Sequence, residues 1–191
     1  MRAFAAVEPS DQLRDYLQQL CRRIRSADNI WATQRWTSPE NYHITLKFFG
    51  SIPTPVCLAL VRDLQACLSS HRKFKLPISE IVTDFPRGQG VKLLMTAFSD
   101  PVGDFARLRR VLDGVGTAYG VPSDHREALP HITLARASRI GLQIPSIESY
   151  GSGPRDLVDE CINVDAVSIF SSELTREGPR YNLQVKIQLM D

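Results

Sequence analysis

The sequence has few of the features that would assign a protein to a class at once. Its 191 residues contain four cysteines and no Cys-x-x-Cys pair, so we interpret the cysteines as small hydrophobic residues of a reducing compartment. The four are Cys21, Cys57, Cys67 and Cys161, and the first three fall on the apolar stripes of predicted helices.

Long hydrophobic runs are missing as well. No apolar stretch approaches the length that spans a bilayer. Residues 1–7 form too short an apolar run for a signal peptide, and the polar residues 8–11 end that run. We therefore expect a cytoplasmic protein without a membrane contact.

Charge of one sign is not in excess either. Lys and Arg number 23 and Asp and Glu number 21, which gives a net charge of +2. This balance permits an anionic substrate but argues against an extended surface that tracks along nucleic acid. The hydrophobic share of 43% and the charged share of 23% are those of a soluble globular protein with one sizeable core.

Histidine is scarce too, yet two of the four histidines begin the same tetrapeptide. His-Ile-Thr-Leu occupies residues 43–46 and returns at residues 131–134, which is 88 residues later. Identity of four residues proves little by itself. The meaning of the repeat depends on the elements that surround the two copies.

The first half of the chain is predicted to alternate between strands and helices. Residues 2–7 form a buried strand, and Ser10 can cap the helix that follows. The apolar stripe of that helix is Leu13, Leu17, Leu20, Cys21 and Ile24. The next elements are a connecting segment at 31–41, the first His-x-Thr strand at 42–49, a helix with Thr54 as its N-cap and Pro55 as its first residue, and a strand at 74–85.

The same order then begins again. Gly88-Gln89-Gly90 is predicted to form a hairpin turn. The elements after it are a strand at 91–98, a helix that begins at Asp100-Pro101, the second His-x-Thr strand after Pro130, a loop over most of 137–162, a strand at 164–170 and a half-buried strand at 181–189.

Strand, helix and His-x-Thr strand therefore occur twice, which indicates a duplicated unit. We predict one domain over residues 1–191 with an internal repeat of approximately 1–88 and 89–191. The predicted fold is α+β: a bilobed duplicated fold of two antiparallel sheets backed by helices, with the two His-x-Thr strands facing a central cleft.

Alternation along a strand assigns faces to these residues. On the first motif, His43, Thr45 and Lys47 share one face, while the apolar residues at 44, 46 and 48 pack behind it. His131 and Thr133 repeat the arrangement. Alternation favours a cleft position for Lys47, although a lysine near the end of a strand is often solvated.

Two histidines across a cleft suit a displacement in which one proton is taken while another is given. Imidazole titrates near neutrality, so one ring can be the base and the other the acid. The threonine hydroxyls can donate to phosphate oxygens, where charge develops in phosphoryl transfer.

Two other interpretations are weighed against this one. One alternative is that each motif is an ordinary strand whose histidine is hydrogen-bonded within the fold. The presence of two copies in a duplicated unit weakens this interpretation. A metal site has little support, because no carboxylate or cysteine lies at ligand spacing from the histidines. His71 and His125 lie in charged stretches and are expected to be solvated.

The sequence resembles the two-histidine (2H) phosphoesterase superfamily, and within it the bacterial and archaeal RNA 2′,3′-cyclic phosphodiesterases, also described as 2′-5′ RNA ligases. The resemblance covers nearly the whole chain. Its motifs are Arg-Ala-Phe-Ala at 2–5, Trp36, Asn-Tyr-His-Ile-Thr-Leu-Lys-Phe-Phe-Gly at 41–50, Leu-Pro-His-Ile-Thr-Leu-Ala-Arg at 129–136 and Phe-Ser-Ser-Glu-Leu-Thr-Arg-Glu-Gly-Pro-Arg-Tyr at 170–181.

The resemblance implies hydrolysis of a 2′,3′-cyclic phosphate on an RNA 3′ end or a nucleotide, which leaves a 2′-phosphate and requires no metal or cofactor. It implies that His43 donates a proton to the leaving 3′ oxygen and that His131 accepts one from water. Thr45 and Thr133 would hold the phosphate with help from Arg136. Strand alternation puts Arg136 on the face opposite His131, so this role requires a twist or a strand end.

Two rival functions come from other classes. The first is a ligase that makes 2′-5′ linkages, which is the reverse chemistry in the same cleft. The second is a non-catalytic nucleotide-binding module, which would tolerate the loss of a histidine or threonine, whereas this chain keeps all four. We expect hydrolysis by a monomer, with ligation as a possible second activity.

Overall fold

A computed structural model of the chain describes residues 1–85, 92–124, 129–138, 142, 161–175 and 178–191. In chain order its elements are β1 (Arg2–Val7), α1 (Asp11–Ala27), α2 (Asn29–Ala32), β2 (Arg35–Trp36), a 3-10 helix (Pro39–Asn41), β3 (Ile44–Ser51), α3 (Thr54–Leu68), β4 (Phe74–Phe85), β5 (Leu93–Phe98), α4 (Asp104–Ala118), β6 (His131–Arg136), β7 (Cys161–Val164), β8 (Ala166–Thr175) and β9 (Gly178–Gln188). Within these ranges, no helix has the length and apolar character required to cross a membrane.

The strands of the described residues pair antiparallel in the order β7-β4-β5-β6-β3-β1-β8-β9, and β2 pairs with β6. The two His-x-Thr strands, β3 and β6, are neighbours at the centre, where Ile44 lies opposite Ile132. The predicted α+β fold of antiparallel strands and helices is confirmed. The two predicted sheets are joined at this central pair.

Each half of the chain supplies a strand to the other half's side of the sheet. β4 follows the first His-x-Thr strand but pairs with β5 of the second half. β8 follows the second His-x-Thr strand but pairs with β1 of the first half. The buried apolar residues accordingly form one cluster with members from both halves.

Helix α1 follows from its sequence. The Ser10 hydroxyl accepts a hydrogen bond from the backbone N–H of Leu13 at 3.2 Å, which caps the first turn. The buried residues of the helix are the predicted stripe: Leu13, Leu17, Leu20, Cys21 and Ile24.

With Asp100 as the N-cap, Pro101 would be the first residue of helix α4. The helix instead begins three residues later, at Asp104. Gly103, with φ of 76°, precedes the first helical residue. The Asp100 carboxylate still caps the helix, because it accepts from the backbone N–H groups of Phe105 at 3.2 Å and Ala106 at 3.0 Å. The buried Phe105, Leu108 and Leu112 hold α4 against the sheet.

Several sequence-based boundaries differ from the structure. The segment 31–41 contains α2, β2 and the 3-10 helix, because Trp31 is buried and its carbonyl accepts from Trp36 Nε1 at 2.8 Å. Thr54 is the first residue of α3 and makes no side-chain cap. The segment 164–170, predicted as one strand, is divided at Asp165 into β7 and β8, which lie far apart in the strand order.

Two smaller predictions also need correction, and others lie outside the described ranges. Cys67 is exposed rather than buried on its helix stripe. His71 is partly buried, with its ring 6.4 Å from that of Phe74. The predictions for Gly88-Gln89-Gly90, for His125 and for most of 137–162 lie outside the residues that the structure describes.

Candidate active site

The central pair of strands brings the two motifs together. Because β3 and β6 are antiparallel with Ile44 opposite Ile132, Thr45 lies beside His131 and His43 lies beside Thr133. Each histidine therefore neighbours the threonine of the other copy. The isoleucines are fully buried behind the strands and fix this register.

Both imidazole rings are held in the same way. Nδ1 of His43 lies 2.7 Å from the carbonyl oxygen of Asn41, and Nδ1 of His131 lies 2.8 Å from that of Leu129. A carbonyl oxygen can only accept, so Nδ1 carries the hydrogen in both rings. In the neutral form, Nε2 of each ring is then the nitrogen without a hydrogen, which can accept a proton.

The Nε2 atom of His43 already has a partner on its own strand. It lies 3.1 Å from Oγ1 of Thr45. In the neutral ring the threonine hydroxyl donates to Nε2, and in the charged ring Nε2–H is the donor. This atom can therefore either accept or give a proton at the position where a substrate atom would replace the hydroxyl.

Several neighbours act on the charge of His43. Burial lowers the pKa of the ring, and the hydrogen bond to the Asn41 carbonyl raises it. The charges of His131 and Arg136 lower the pKa further, while the carboxylate of Glu8 raises it. The net pKa lies below the ordinary value of 6.5.

Glu8 is itself anchored at the end of β1. Ser168 Oγ donates to its Oε2 at 2.6 Å, and Lys186 Nζ lies 3.6 Å from the same oxygen. These contacts come from β8 and β9, the strands that the second half contributes to this side of the sheet. The carboxylate thus keeps a fixed position from which its charge reaches His43.

An aromatic cluster lies against His43. The ring centroids of Phe4 and Tyr181 are 5.0 Å and 5.3 Å from that of His43. Phe4 is buried beneath Phe48, Phe170 and Tyr181, at centroid distances of 5.8, 5.4 and 4.9 Å. Phe48 is 65% exposed, so the cluster presents an open aromatic surface beside the histidine.

Phe48 reaches this surface because β3 contains a bulge. Against the regular strand β1, Thr45 pairs with Ala6 and Lys47 pairs with Ala5, so Leu46 is an additional residue. An additional residue reverses the alternation of faces beyond it. Leu46 and Lys47 are both buried, and Phe48 faces the cleft instead of packing behind the strand as predicted.

The second motif has the same bulge. Against β5, Thr133 pairs with Met95 and Ala135 pairs with Leu94, so Leu134 is the additional residue. Leu134 and Ala135 are both buried and Arg136 is exposed. The face of Arg136 is therefore that of His131 and Thr133, which corrects the alternation drawn from the sequence.

The charge of Arg136 affects the pKa of two side chains in the site. It lowers the pKa of His43, and it also lowers the pKa of Tyr181 against the larger opposing effect of burial. Both rings lie on the β3 side of the site, whereas Arg136 lies on β6, so its charge acts across the junction of β3 and β6. Arg136 and Phe48 occupy equivalent positions in the two motifs.

Lys47 is neither in the cleft nor solvated. It is 4% exposed, its Nζ bonds to the carboxylate of Asp113 on α4, and it donates to the carbonyl of Pro122 at 2.7 Å. The bulge at Leu46 turns it to the helix side of the sheet. Neither expectation for this lysine holds.

Three cavities lined by described residues have neither His43 nor His131 in their walls. A cavity of about 850 Å³ lies between α4 and β3, on the side of Lys47 and Asp113. A smaller one of about 250 Å³ is closer to the chemistry, since Asn41 and Tyr181 line it. An open cleft at a strand junction encloses little volume, so the hydrogen bonds and the strand register define this site better than cavity size does.

The described residues contain no group of three His, Cys, Asp or Glu side chains arranged to hold a metal ion. The cleft instead offers imidazole nitrogens, hydroxyls and a guanidinium. These groups suit an oxyanion such as a phosphodiester.

Comparison with protein families gives a match over residues 7–88 to the family described as LigT like Phosphoesterase. The RNA 2′,3′-cyclic phosphodiesterase of Methanothermobacter thermautotrophicus is 28% identical over 194 residues, which cover 95% of this chain and 95% of the relative. The protein of the same name from Aeropyrum pernix is 25% identical over 170 residues, which cover 87% of this chain and 94% of the relative.

Solved structures share the fold. The crystal structure of TT0787 of Thermus thermophilus aligns with a TM-score of 0.74 at 23% identity, over 99% of this chain and 98% of that chain. Escherichia coli LigT complexed with 3′-AMP aligns with a TM-score of 0.74 at 20% identity, over 100% of this chain and 98% of that chain. At these identities the structural match concerns the fold.

Proposed function

We propose that the chain is an RNA 2′,3′-cyclic phosphodiesterase, because residues 7–88 match the LigT like Phosphoesterase family and a relative with this activity in its name is 28% identical over 95% of the chain. Its substrates would be RNA 3′ ends or nucleotides with a 2′,3′-cyclic phosphate, and its product a 2′-phosphate. The observation that carries the proposal is the shared orientation of His43 and His131 on adjacent strands. Each Nδ1 bonds to a carbonyl, so each Nε2 is available for proton transfer.

The reaction assigns one proton transfer to each ring. Nε2 of His131 takes a proton from water as the water oxygen attacks phosphorus. The bond from phosphorus to the 3′ oxygen breaks, and Nε2–H of His43 gives its proton to that oxygen. The rings return to their starting charges by exchange with solvent.

Three further side chains would hold the phosphate. Thr45 and Thr133 each stand beside the histidine of the other motif, so their hydroxyls can donate to the non-bridging oxygens. Arg136, on the same face, can pair with the charge that develops there. None of these donors depends on a metal.

The lowered pKa of His43 places a condition on this mechanism. A proton donor has to be charged, and burial disfavours the charged ring. A bound cyclic phosphodiester carries one negative charge, which favours the imidazolium. Under this proposal, substrate binding raises the pKa of His43 and so prepares the acid.

The aromatic surface is suited to the nucleoside. Phe48 is exposed next to the rings that contact His43, and nucleobases stack on aromatic faces. We assign this surface to the base attached to the reacting ribose.

Ligation to a 2′-5′ linkage remains the alternative reaction of the same cleft. It would replace water by a 5′ hydroxyl as the partner of the 2′,3′-cyclic phosphate. Without an activating cofactor, water at its bulk concentration should win. The single domain of two repeats, the monomeric state and the cytoplasmic location stay predictions.

The direct test is incubation with a 2′,3′-cyclic nucleotide in the presence of EDTA, with identification of the product by phosphorus NMR. We expect hydrolysis to a 2′-phosphate at an unchanged rate after chelation. Activity that is lost with EDTA and restored by zinc or magnesium contradicts the proposal, as does a 3′-phosphate product. Joining of RNA ends under the same conditions would favour the ligase.

A further inference from the structure

At the bulge of each His-x-Thr strand, a backbone carbonyl accepts a hydrogen bond from a donor outside the β3–β1 or β6–β5 pair. In β6 the carbonyl oxygen of Leu134 accepts from the backbone N–H of Thr37 at 2.8 Å, next to β2. In β3 the carbonyl oxygen of Leu46 accepts from the guanidinium Nε of Arg109 at 2.9 Å, on α4. The two equivalent bulges are thus supported by different means, a strand in one case and a helix side chain in the other.

The bulge in β3 has a second support from the same helix. Lys47, the residue after Leu46, is buried and bonds to Asp113, one helical turn beyond Arg109. Ser123 Oγ and the backbone N–H of Asp124, the latter at 3.1 Å, also donate to the Asp113 carboxylate. Burial alone would raise the pKa of Asp113, but these donors hold it at about 2, so the carboxylate is charged.

A regular β3 would have the opposite arrangement. Without the additional residue at Leu46, alternation from Thr45 would turn Lys47 into the cleft and Phe48 to the back of the sheet. The bulged register is the observed one, and the regular register is the alternative that the same residues would form without the bulge. They differ in whether an aromatic ring or an ammonium group lies beside His43.

We propose that Arg109, Lys47 and Asp113 are positioning residues that select the bulged register of β3. Arg109 satisfies the displaced carbonyl of Leu46, and Asp113 compensates the buried charge of Lys47. Together they keep Phe48 on the cleft face, where the nucleobase stacks. The functional part of this inference rests on the proposed activity; the register itself does not.

The test uses Asp113→Ala, which leaves the ammonium of Lys47 buried without its carboxylate. The register is read from the thiol introduced by Phe48→Cys, whose labelling by a thiol reagent is located by peptide mass. We expect fast labelling in the otherwise unchanged chain and labelling at least about 10-fold slower with Asp113→Ala, because the site turns inward. Cys57, which is 2% exposed, is the internal reference for unfolding.

Kinetics with two substrates supply the functional readout. In the chain with Phe48 present, Asp113→Ala should raise KM for a 2′,3′-cyclic nucleotide about 10-fold, the factor expected from loss of one base–aromatic contact. KM for glycerol 1,2-cyclic phosphate, which has no base, should change little. A general loss of stability would not separate the two substrates.

Rescue and control variants complete the design. The double change Lys47→Met with Asp113→Leu replaces the ion pair by apolar side chains and should restore both fast labelling and the lower KM. The matched control is Asp104→Ala, which breaks the solvent-facing pair of Asp104 with Arg107 on the same helix. It should leave labelling and both KM values as they are.

Unchanged labelling and an unchanged KM ratio in Asp113→Ala overturn the proposal. If Asp113→Ala instead exposes Cys57 to the reagent, the labelling rate and the two KM values are measured in Arg109→Met. Unchanged labelling and an unchanged ratio of the two KM values in Arg109→Met also overturn the proposal. A chain that fails to hydrolyse any cyclic phosphate contradicts the proposed function, while the labelling experiment still decides the register.

Discussion

The two histidines share a local sequence but have different surroundings. His43 is packed against Phe4 and Tyr181 and lies within reach of the Glu8 carboxylate. His131 follows Pro130 at the start of β6 and is partly exposed. The two rings thus occupy different environments, and a division into acid and base requires such a difference.

The pKa of His43 is predicted to lie below 6.5 in the free protein and to move with its charged neighbours. Glu8→Gln removes a charge that favours the imidazolium, so the pKa should fall further. Arg136→Ala removes a charge that opposes the imidazolium, so the pKa should rise. Addition of a nucleoside 2′-phosphate should also raise it. NMR titration of the imidazole resonances measures all four values.

One control variant accompanies this titration. Glu173→Gln alters an exposed carboxylate near the end of β8 and should leave the pKa of His43 unchanged. A higher pKa of His43 in Glu8→Gln would contradict the electrostatic account of the acid. So would a pKa of His43 that stays the same when the nucleoside 2′-phosphate binds.

The threonine hydroxyls are predicted to act on the transition state rather than on folding. Thr45→Val and Thr133→Val keep the shape and strand propensity of the side chain but remove the donor. Each should lower kcat/KM by about 10- to 1000-fold, as for loss of one transition-state hydrogen bond. The midpoint of thermal unfolding should change little.

Thr33→Val is the matched control, because its hydroxyl is exposed and bonds to the carbonyl of Ile30 outside the site. Its activity should equal that of the unaltered protein. Near-full activity in both Thr45→Val and Thr133→Val would mean that these threonines serve only as strand residues.

At the scale of elements, the bulges decide which side chains the cleft contains. Both His-x-Thr strands have the burial pattern buried, partly buried, buried, buried, exposed over the residues from isoleucine to Phe48 or Arg136. A strand without the bulge would bury Phe48 and Arg136. The two residues at equivalent positions then give the site one aromatic and one cationic side.

Phe48→Ala is predicted to weaken binding of nucleotides specifically. KM for a 2′,3′-cyclic nucleotide should rise about 10-fold through the loss of stacking. KM for glycerol 1,2-cyclic phosphate should stay nearly constant, since that substrate has no base to stack. Steady-state kinetics with both substrates measures the difference.

Leu58→Ala serves as the control for removal of an exposed apolar side chain. Leu58 is 67% exposed on α3, outside the cleft, and its loss should alter neither KM. An equal rise in both KM values for Phe48→Ala would assign the ring to the strand's structure and not to the base.

The elements that could be predicted are those governed by local chemistry. Helix α1 has its cap and its buried stripe where the spacing of Ser10 and the leucines puts them. The faces beyond Thr45 and Thr133 could not be predicted, because a bulge depends on partners far away in the chain. Arg109 and Thr37 supply those partners, and the hydrophobic periodicity within β3 or β6 does not predict them.

Other parts of the site were also hidden from the sequence. Phe4 and Tyr181 belong to the short motifs at 2–5 and 170–181, but their contact with His43 follows from the pairing of β1, β8 and β9. Glu8 had appeared only as the polar end of the first strand. Each of these residues reaches the site through strand pairing that a single sequence does not specify.

At the scale of the whole molecule, the site exists only where both halves of the chain meet. The repeat of His-Ile-Thr-Leu predicted that two motifs would cooperate. The exchange of β4 and β8 between the halves was not predictable, because alternation marks a strand's faces but not its neighbours. This exchange brings Tyr181 and the anchor of Glu8 from the second half to His43 of the first.

The central claim is that the two halves contribute opposite proton transfers to one displacement. It is tested by comparing His43→Ala and His131→Ala on a cyclic nucleotide and on a nitrophenyl phosphodiester, whose leaving group needs no proton. The measured quantity is kcat/KM for each pair. Both variants should be strongly impaired on the cyclic nucleotide.

The activated ester should restore much of the loss in His43→Ala and little of the loss in His131→Ala, because only the first removes the acid. Circular dichroism of both variants checks that the fold is retained. Restoration of His131→Ala instead would reverse the two roles. Rates equal to those of the unaltered protein in both variants would contradict the catalytic account.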